Sequence, residues 1–466
     1  MTLHRCSTPT ERTKSRLLVW SLLLCLCALA LTACRSDFQK GKDALNRGDY
    51  ASALREFQAA AMQGSAEAHF FIGTMYYQGQ GVPQDYAQAA MWYRKAAEQG
   101  YAGAPVILAG MYNDGQGVPQ DYAQAAVWYL KAAEQGYVLA QGILADMYAN
   151  GQGVPQDYAQ AAVWNRKAAE QGDFLAQSSL GFAYAIGEGV TQDYAQAAAW
   201  FRKAAEQGYV VAQGILGAAY AKGQGVPQDY AQAVFWYRKA AEKGVADAQT
   251  RLGWMYANGE GVPQDYVQAV FWYRKAAEQG LADAQVNLGV AYAKGQGVPQ
   301  DYAQAAMWTR KAAEKGDAFA QANLGLRYYQ GQGVPQDYAQ AAVWWRKAAE
   351  HGVAYAQNNL GLMYANGEGV PQDYAQAAAW LRKAAEQGEA NAQYNLGAAY
   401  AKGQGVPQDY AQAYMWSNLA AAQGHAKAIE WRDSLGKELT PAQIAEGQRL
   451  AREWLAAHPQ AQGNRQ

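Results

Sequence analysis

A Gln-Asp-Tyr tripeptide recurs ten times at an interval of 36 residues, with its tyrosine at Tyr86, Tyr122, Tyr158, Tyr194, Tyr230, Tyr266, Tyr302, Tyr338, Tyr374 and Tyr410. A tryptophan follows each tyrosine six residues later, from Trp92 to Trp416. A short unit repeated at this period cannot bury its apolar face alone, so neighbouring copies must stack and share one core. This constraint overrides the two or three ordinary domains that a chain of 466 residues would otherwise suggest.

With Ser65 as position 1, each repeat reads as helix A at positions 2–14, a glycine-rich turn, helix B at positions 20–35 and a closing glycine. In the first copy Gly79 is placed to end helix A in a left-handed conformation, Gly81 permits a tight turn and Pro83 stands at the entry to helix B. Asp85 is expected in the first turn of helix B, where a carboxylate complements the dipole, while Arg94 and Lys95 lie in the later turns. Such a Gly-x-Gly could also cradle phosphate, but the proline and the absence of a following lysine favour a plain turn.

Comparing the ten copies with one another separates fixed from free positions. In helix A, position 4 is always Ala, position 8 is Leu or Ile, position 9 is Gly or Ala and position 12 is always Tyr. At 100° per residue these fall between about 40° and 180° of the helical wheel, whereas the variable positions 3, 6, 7, 10, 13 and 14 fall between about 220° and 340°. The fixed face must pack on helix B and on the neighbouring repeat. The variable face is left for solvent or a partner.

Ala66 to Gly100, with its Leu/Gly-type pair, Gly-x-Gly-Val-Pro turn, Asp-Tyr, Trp-Tyr-Arg-Lys-Ala-Ala-Glu and closing Gly, resembles the Sel-1-like repeat, a long-loop relative of the tetratricopeptide repeat. The resemblance extends over 65–424. It implies an all-α fold, an α/α superhelical solenoid of tandem 36-residue helix hairpins, with the helix A faces lining a concave groove. Residues 34–64 resemble a shorter tetratricopeptide-like capping hairpin, and 425–466 form a C-terminal helical cap and tail. There, Ala426 to Leu435 looks like one more helix A. Thr440, Pro441 and Gln443 set up a capping box for a last helix to about Ala457, with Ile444, Leu450, Trp454 and Leu455 on its apolar face.

The N-terminus differs in kind. Arg12, Lys14 and Arg16 precede an apolar run from Leu17 to Ala30, too short for the ~20 residues that span a bilayer and suited to a signal peptide over 1–33. The run ends in Leu31-Thr32-Ala33-Cys34, which resembles a bacterial lipobox and implies diacylation of Cys34. A lipid there would hold the chain to a membrane. Arg35, where an Asp would suggest inner-membrane retention, points to the bacterial outer membrane, on its periplasmic face or at the cell surface. All four cysteines lie in 1–34, leaving the mature chain no thiol for a disulfide, a metal or a nucleophile once Cys34 is acylated.

Net charge is −1 with both signs dispersed, which gives no basic stripe for nucleic acid. Beyond residue 34 the histidines are His69, His351, His425 and His458, none paired at metal-ligand spacing. Carboxylates such as Asp85 and Glu98 recur in every or nearly every copy, as capping and surface groups do. Ser434 and Lys437 form a Ser-x-x-Lys that some acylating hydrolases use, and some cysteine-rich members of the family have been linked to β-lactam binding, but their paired cysteines are absent here. No catalytic residue, cofactor or metal is expected.

The expected activity is capture of a protein or extended peptide on the variable face by a monomeric scaffold. Family analogy allows envelope regulation or host-protein capture. The candidate groove residues are Ile107, Ile143, Phe182, Ile215, Arg251, Trp254, Asn287, Phe319, Asn323, Tyr355, Asn359, Tyr394 and Asn395. At position 7 the early copies carry isoleucine and four successive later ones asparagine, so the groove should turn from apolar to amide-lined. An asparagine ladder offers donor and acceptor to a peptide backbone. The alternatives are a ladder that merely joins repeats, a purely structural envelope spacer, or a hydrolase or β-lactam-binding protein using Ser434.

Overall fold

The computed structural model describes residues 35–458, which are helical with no strand among them. Cys34, the signal peptide expected over 1–33 and the tail after His458 lie outside the described residues. Helix α1 covers 35–46 and α2 Tyr50–Met62; the ten repeats supply α3 (Ala66–Gln78) and α4 (Tyr86–Glu98) through to α21 (Ala390–Lys402) and α22 (Tyr410–Ala422). α23 (Ala426–Glu438) and α24 (Pro441–Ala457) close the chain, and α24 opens with the expected capping box between Thr440 and Gln443.

The helices fall into two compact units, one ending at Gln228 and one beginning at Asp229. Within each, helix A of one repeat packs on its own helix B and on helix B of the repeat before it. Fixed positions form the core: Ile72, Leu108, Leu144, Leu180, Leu252, Leu288, Leu324, Leu360 and Leu396 are fully buried, as are the position 4 alanines between them. Helix stability at these lengths comes from that shared apolar face more than from propensity.

The turn between helices is built differently from the sequence expectation. Asp85 is not inside helix B but caps it, with extended backbone (φ −146°) and its carboxylate accepting from Gln88 N. Pro83 and Gln84 stay outside the helix, and the Gln84 amide folds back onto the carbonyl of Tyr77 at 2.9 Å. The same bond recurs as Gln120 to Asn113 and Gln156 to Ala149, so the turn is pinned from both ends. Gly79 is the left-handed C-cap expected of it, at φ 70°. The second turn glycine has a reason beyond its φ: a Cβ on Gly117 would lie 2.3 Å from the carbonyl oxygen of Tyr86, in the preceding helix B.

The apolar end of α24 carries Leu450, Trp454 and Leu455 against Met415, Trp416 and Leu419 of α22. That repeat has lost the usual Arg-Lys pair and final Glu of helix B in favour of Asn418, Leu419 and Ala422, which lets an apolar helix cover it. An end repeat whose open face is shielded by its own chain is what a solenoid requires.

Candidate functional site

Helix A presents its variable positions on one side because positions 4, 8 and 9 are committed to the core. In the first compact unit Ile107, Ile143 and Ile215 are half-buried there, and Phe182 stands 43% exposed, its ring edge-on to Phe201 at 5.1 Å. Leu139 and Leu175 are more exposed still. At positions 3 and 7 the face in this unit is thus mostly apolar, while position 10 of repeat three carries the exposed Asp146 carboxylate.

In the second unit four of the candidate residues converge. Arg251 and Trp254 on α13 (Ala246–Asn258), Asn287 on α15 (Ala282–Lys294) and Phe319 on α17 (Ala318–Gln330) line one open cleft of about 260 Å³, together with Asp283 and Asp317. Trp254, 46% exposed, is also a wall of a second cleft of about 300 Å³. That cleft runs inward between α13, α14 (Tyr266–Glu278) and α15, past Asn287 and Lys294 to Tyr266, Tyr273 and Ala291. Burial pushes the Tyr273 phenol well above its ordinary range, so the ring is a neutral part of the wall at any physiological pH.

The polar groups around Trp254 are committed unequally. Arg251 pairs with Asp247 one turn earlier at 3.7 Å, an exposed contact of little energetic weight. Asp317 caps α17 by accepting from Ala320 N at 2.6 Å. No hydrogen bond among the described residues engages the side chains of Asn287 or Asp283.

The other asparagines at position 7 are placed differently from a free ladder. Asn323 accepts from the Tyr355 hydroxyl at 3.3 Å, and Asn395 donates to Asn358 Oδ1 at 2.9 Å. Asn359 accepts from the Asn358 amide at 3.3 Å. Position 6 (Asn358) and position 3 (Tyr355) carry polar side chains in repeat nine, so the amides find partners within the protein. Tyr394 is stacked on His425 at 5.1 Å and edge-on to Trp431 at 5.7 Å. It serves the packing of α23 where an accessible anchor was expected.

Three features escaped the sequence reading. Position 5 is Gln in eight of ten copies, and these are buried. Gln141 donates to the carbonyl of Ala133 in the preceding helix B, and Gln171 at position 35 donates back to Gln141. The pairing was legible as a co-recurrence thirty residues apart. Position 27 of helix B exposes a large apolar side chain in most repeats, such as Phe235 and Phe271, each with a lysine ammonium within 5.0 Å of the ring centroid. Arg327, where other copies have Met or Ala, is only 9% exposed and its Nε has no partner.

Among the described residues no group of three His, Cys, Asp or Glu side chains could hold a metal, and no helix is long and apolar enough to cross a membrane. Ser434 and Lys437 lie exposed on α23, and no hydrogen bond joins them.

The Sel1 repeat family model matches the chain ten times in succession, from residues 66–101 to 390–425. A crystal structure of a protective antigen present in uropathogenic Escherichia coli strains, displaying an SLR fold, is similar over 94% of this chain and 95% of that one, at 39% identity and a TM-score of 0.83. A Sel1 repeat protein from Oxalobacter formigenes is 37% identical over 70% of this chain and 92% of its own, with a TM-score of 0.55. Comparison with curated proteins gives no match. Ten consecutive repeats of one type, stacked through the same fixed face, identify the chain as a member of the Sel1-repeat family.

Proposed function

We propose that this chain is a lipid-anchored envelope scaffold, held in the outer membrane through Cys34, that binds a protein partner on the variable helix A face and carries out no reaction. Sel1-repeat solenoids are suited to protein–protein interaction and are typically non-enzymatic. One observation supports the binding reading above the rest. The repeat fixes the inward positions, yet in the second unit it leaves Trp254 and Phe319 exposed beside an amide and a carboxylate with no internal partner. Large accessible aromatics beside unsatisfied polar groups are what interface anchors look like before a partner arrives.

The anchoring reading rests on Leu31-Thr32-Ala33-Cys34 and on Arg35. The description of the E. coli relative as a protective antigen is in keeping with exposure at the cell surface. Expression of the chain with Cys34→Ala tests it: radiolabelled palmitate should be incorporated into the wild type only, and the variant should leave the membrane fraction. Palmitate incorporation by the variant, or an unaltered membrane fraction, contradicts lipidation at Cys34. Binding is tested separately by comparing Trp254→Ala/Phe319→Ala with Val163→Ala/Val343→Ala on the helix B face. Only the first pair should lose partners.

The bonds of Asn323, Asn358 and Asn395 favour a structural reading for the later amides. The binding surface is therefore centred on Trp254 and Asn287, not spread along the whole ladder.

A further inference from the structure

Position 11 of helix A is methionine in five copies, at Met75, Met111, Met147, Met255 and Met363. Each of these side chains is buried, at 1–2% exposure. Met363 packs with Ala341, Ala342 and Trp345, which are positions 25, 26 and 29 of the helix B before it. In repeat seven the corresponding residue is Ala291, and the corresponding wall is Ala269, Val270 and Tyr273. The cleft of about 300 Å³ beside Trp254 lies on those residues. The repeat's own design thus has a slot for a methionine-sized apolar side chain, and here the chain does not fill it.

The mouth of this slot is bordered by the Asn287 amide, with no internal hydrogen bond, and by Trp254. Trp254 also walls the cleft of about 260 Å³, which carries Asp283 and Asp317. They outnumber the one cation there, Arg251, leaving the cleft a net charge of −1. Two carboxylates beside the Trp254 and Phe319 rings make that cleft complementary to a cation, through charge and through the ring faces.

Building on the binding surface argued above, we propose that the partner is an extended peptide segment that inserts a methionine- or leucine-sized side chain into the slot left by Ala291 and lays a neighbouring lysine or arginine over Trp254 against Asp283 and Asp317. The Asn287 amide pairs with the peptide backbone between the two, since one side chain can both donate and accept there. An inserted side chain reproduces packing that five other repeats make internally, so the site is formed before the partner binds.

The full mature chain is panned with random dodecapeptides displayed on phage. Enriched peptides are then measured against Ala291→Met, against Ala399→Met as a control at the same position of repeat ten, and against Trp254→Ala. Selected peptides should share a Met or Leu at a fixed spacing from a Lys or Arg. Ala291→Met should weaken them by about tenfold or more, because it supplies internally what the peptide would insert, while Ala399→Met leaves them unchanged. Thermal melts of each variant separate unfolding from lost binding. If Ala291→Met does not fold, Ala291→Val fills part of the same slot and carries the comparison. Peptides without that pattern, no enrichment, or equal affinity for the Ala291 variants overturn the slot. Retained loss in Trp254→Ala with equal affinity for Ala291→Met would overturn the slot while leaving the binding surface standing.

Discussion

The side-chain amide of Gln171 donates to Oε1 of Gln141 at 2.8 Å, and Gln141 donates in turn to the carbonyl of Ala133 at 3.1 Å. The end of one helix B, the start of the next helix A and the end of its partner are thereby tied by two hydrogen bonds, one buried and one partly buried. The same pair forms between Gln207 and Gln177, Gln279 and Gln249, Gln387 and Gln357, and Gln423 and Gln393. In repeats seven and eight, position 35 is Lys315 and His351, and Oε1 of Gln285 and of Gln321 is left buried without a partner.

Lys315→Gln and His351→Gln should each therefore stabilise the protein, by about 0.5–1.5 kcal/mol for one restored hydrogen bond. The Lys315 ammonium bonds to the Gly280 carbonyl, but that contact need not be lost, since Gln423 bonds both to Gln393 and to the Gly388 carbonyl. Calorimetry should show a higher melting temperature for each. A decrease would mean that the orphaned oxygens are hydrated and cost little.

Arg327→Met should also stabilise. Burial disfavours the charged guanidinium, lowering its proton affinity, and its Nε has no acceptor. Methionine is the residue that five sister repeats use at this position, so replacement removes an uncompensated polar group without leaving a cavity. A gain of about 1–3 kcal/mol is expected in denaturant unfolding. Loss of stability would show that Arg327 has a partner in solution.

Gly325→Ala should destabilise by about 1–3 kcal/mol, because its Cβ would stand 2.5 Å from Cδ1 of Trp345. Repeat three carries Ala145 with Asn165 at these two positions. Trp345→Asn should therefore offset part of the Gly325→Ala cost in a double-mutant cycle. Additive effects would show that the two positions do not oppose each other.

How far the fold could be read in advance follows from what repetition exposes. The ten tyrosines and the fixed positions of helix A sufficed for the helix hairpin and its buried face, because internal comparison substitutes for homologues. Asp85 was placed one step too far inside helix B, since spacing alone does not reveal that Gln84 folds back to hold the turn open. The asparagine ladder looked uniform because one position was followed by itself. Its fate depends on Tyr355 and Asn358, side chains at other positions brought alongside by stacking. The slot at Ala291 was invisible for a related reason: position 11 is Met in five copies and Ala in four, and only the stacked wall of Ala269, Val270 and Tyr273 shows the space beside this alanine.

A partner docked on the helix A face beside Trp254 must lie within reach of side chains at positions 254 and 319. A photo-crosslinking amino acid placed singly at Trp254, Phe319, Val163 and Val343 and irradiated in intact cells tests it most directly. Positions 254 and 319 should each join the same protein, and positions 163 and 343 on helix B should not. Adducts from the helix B positions alone, or none from position 254 in a correctly folded and anchored chain, would contradict it.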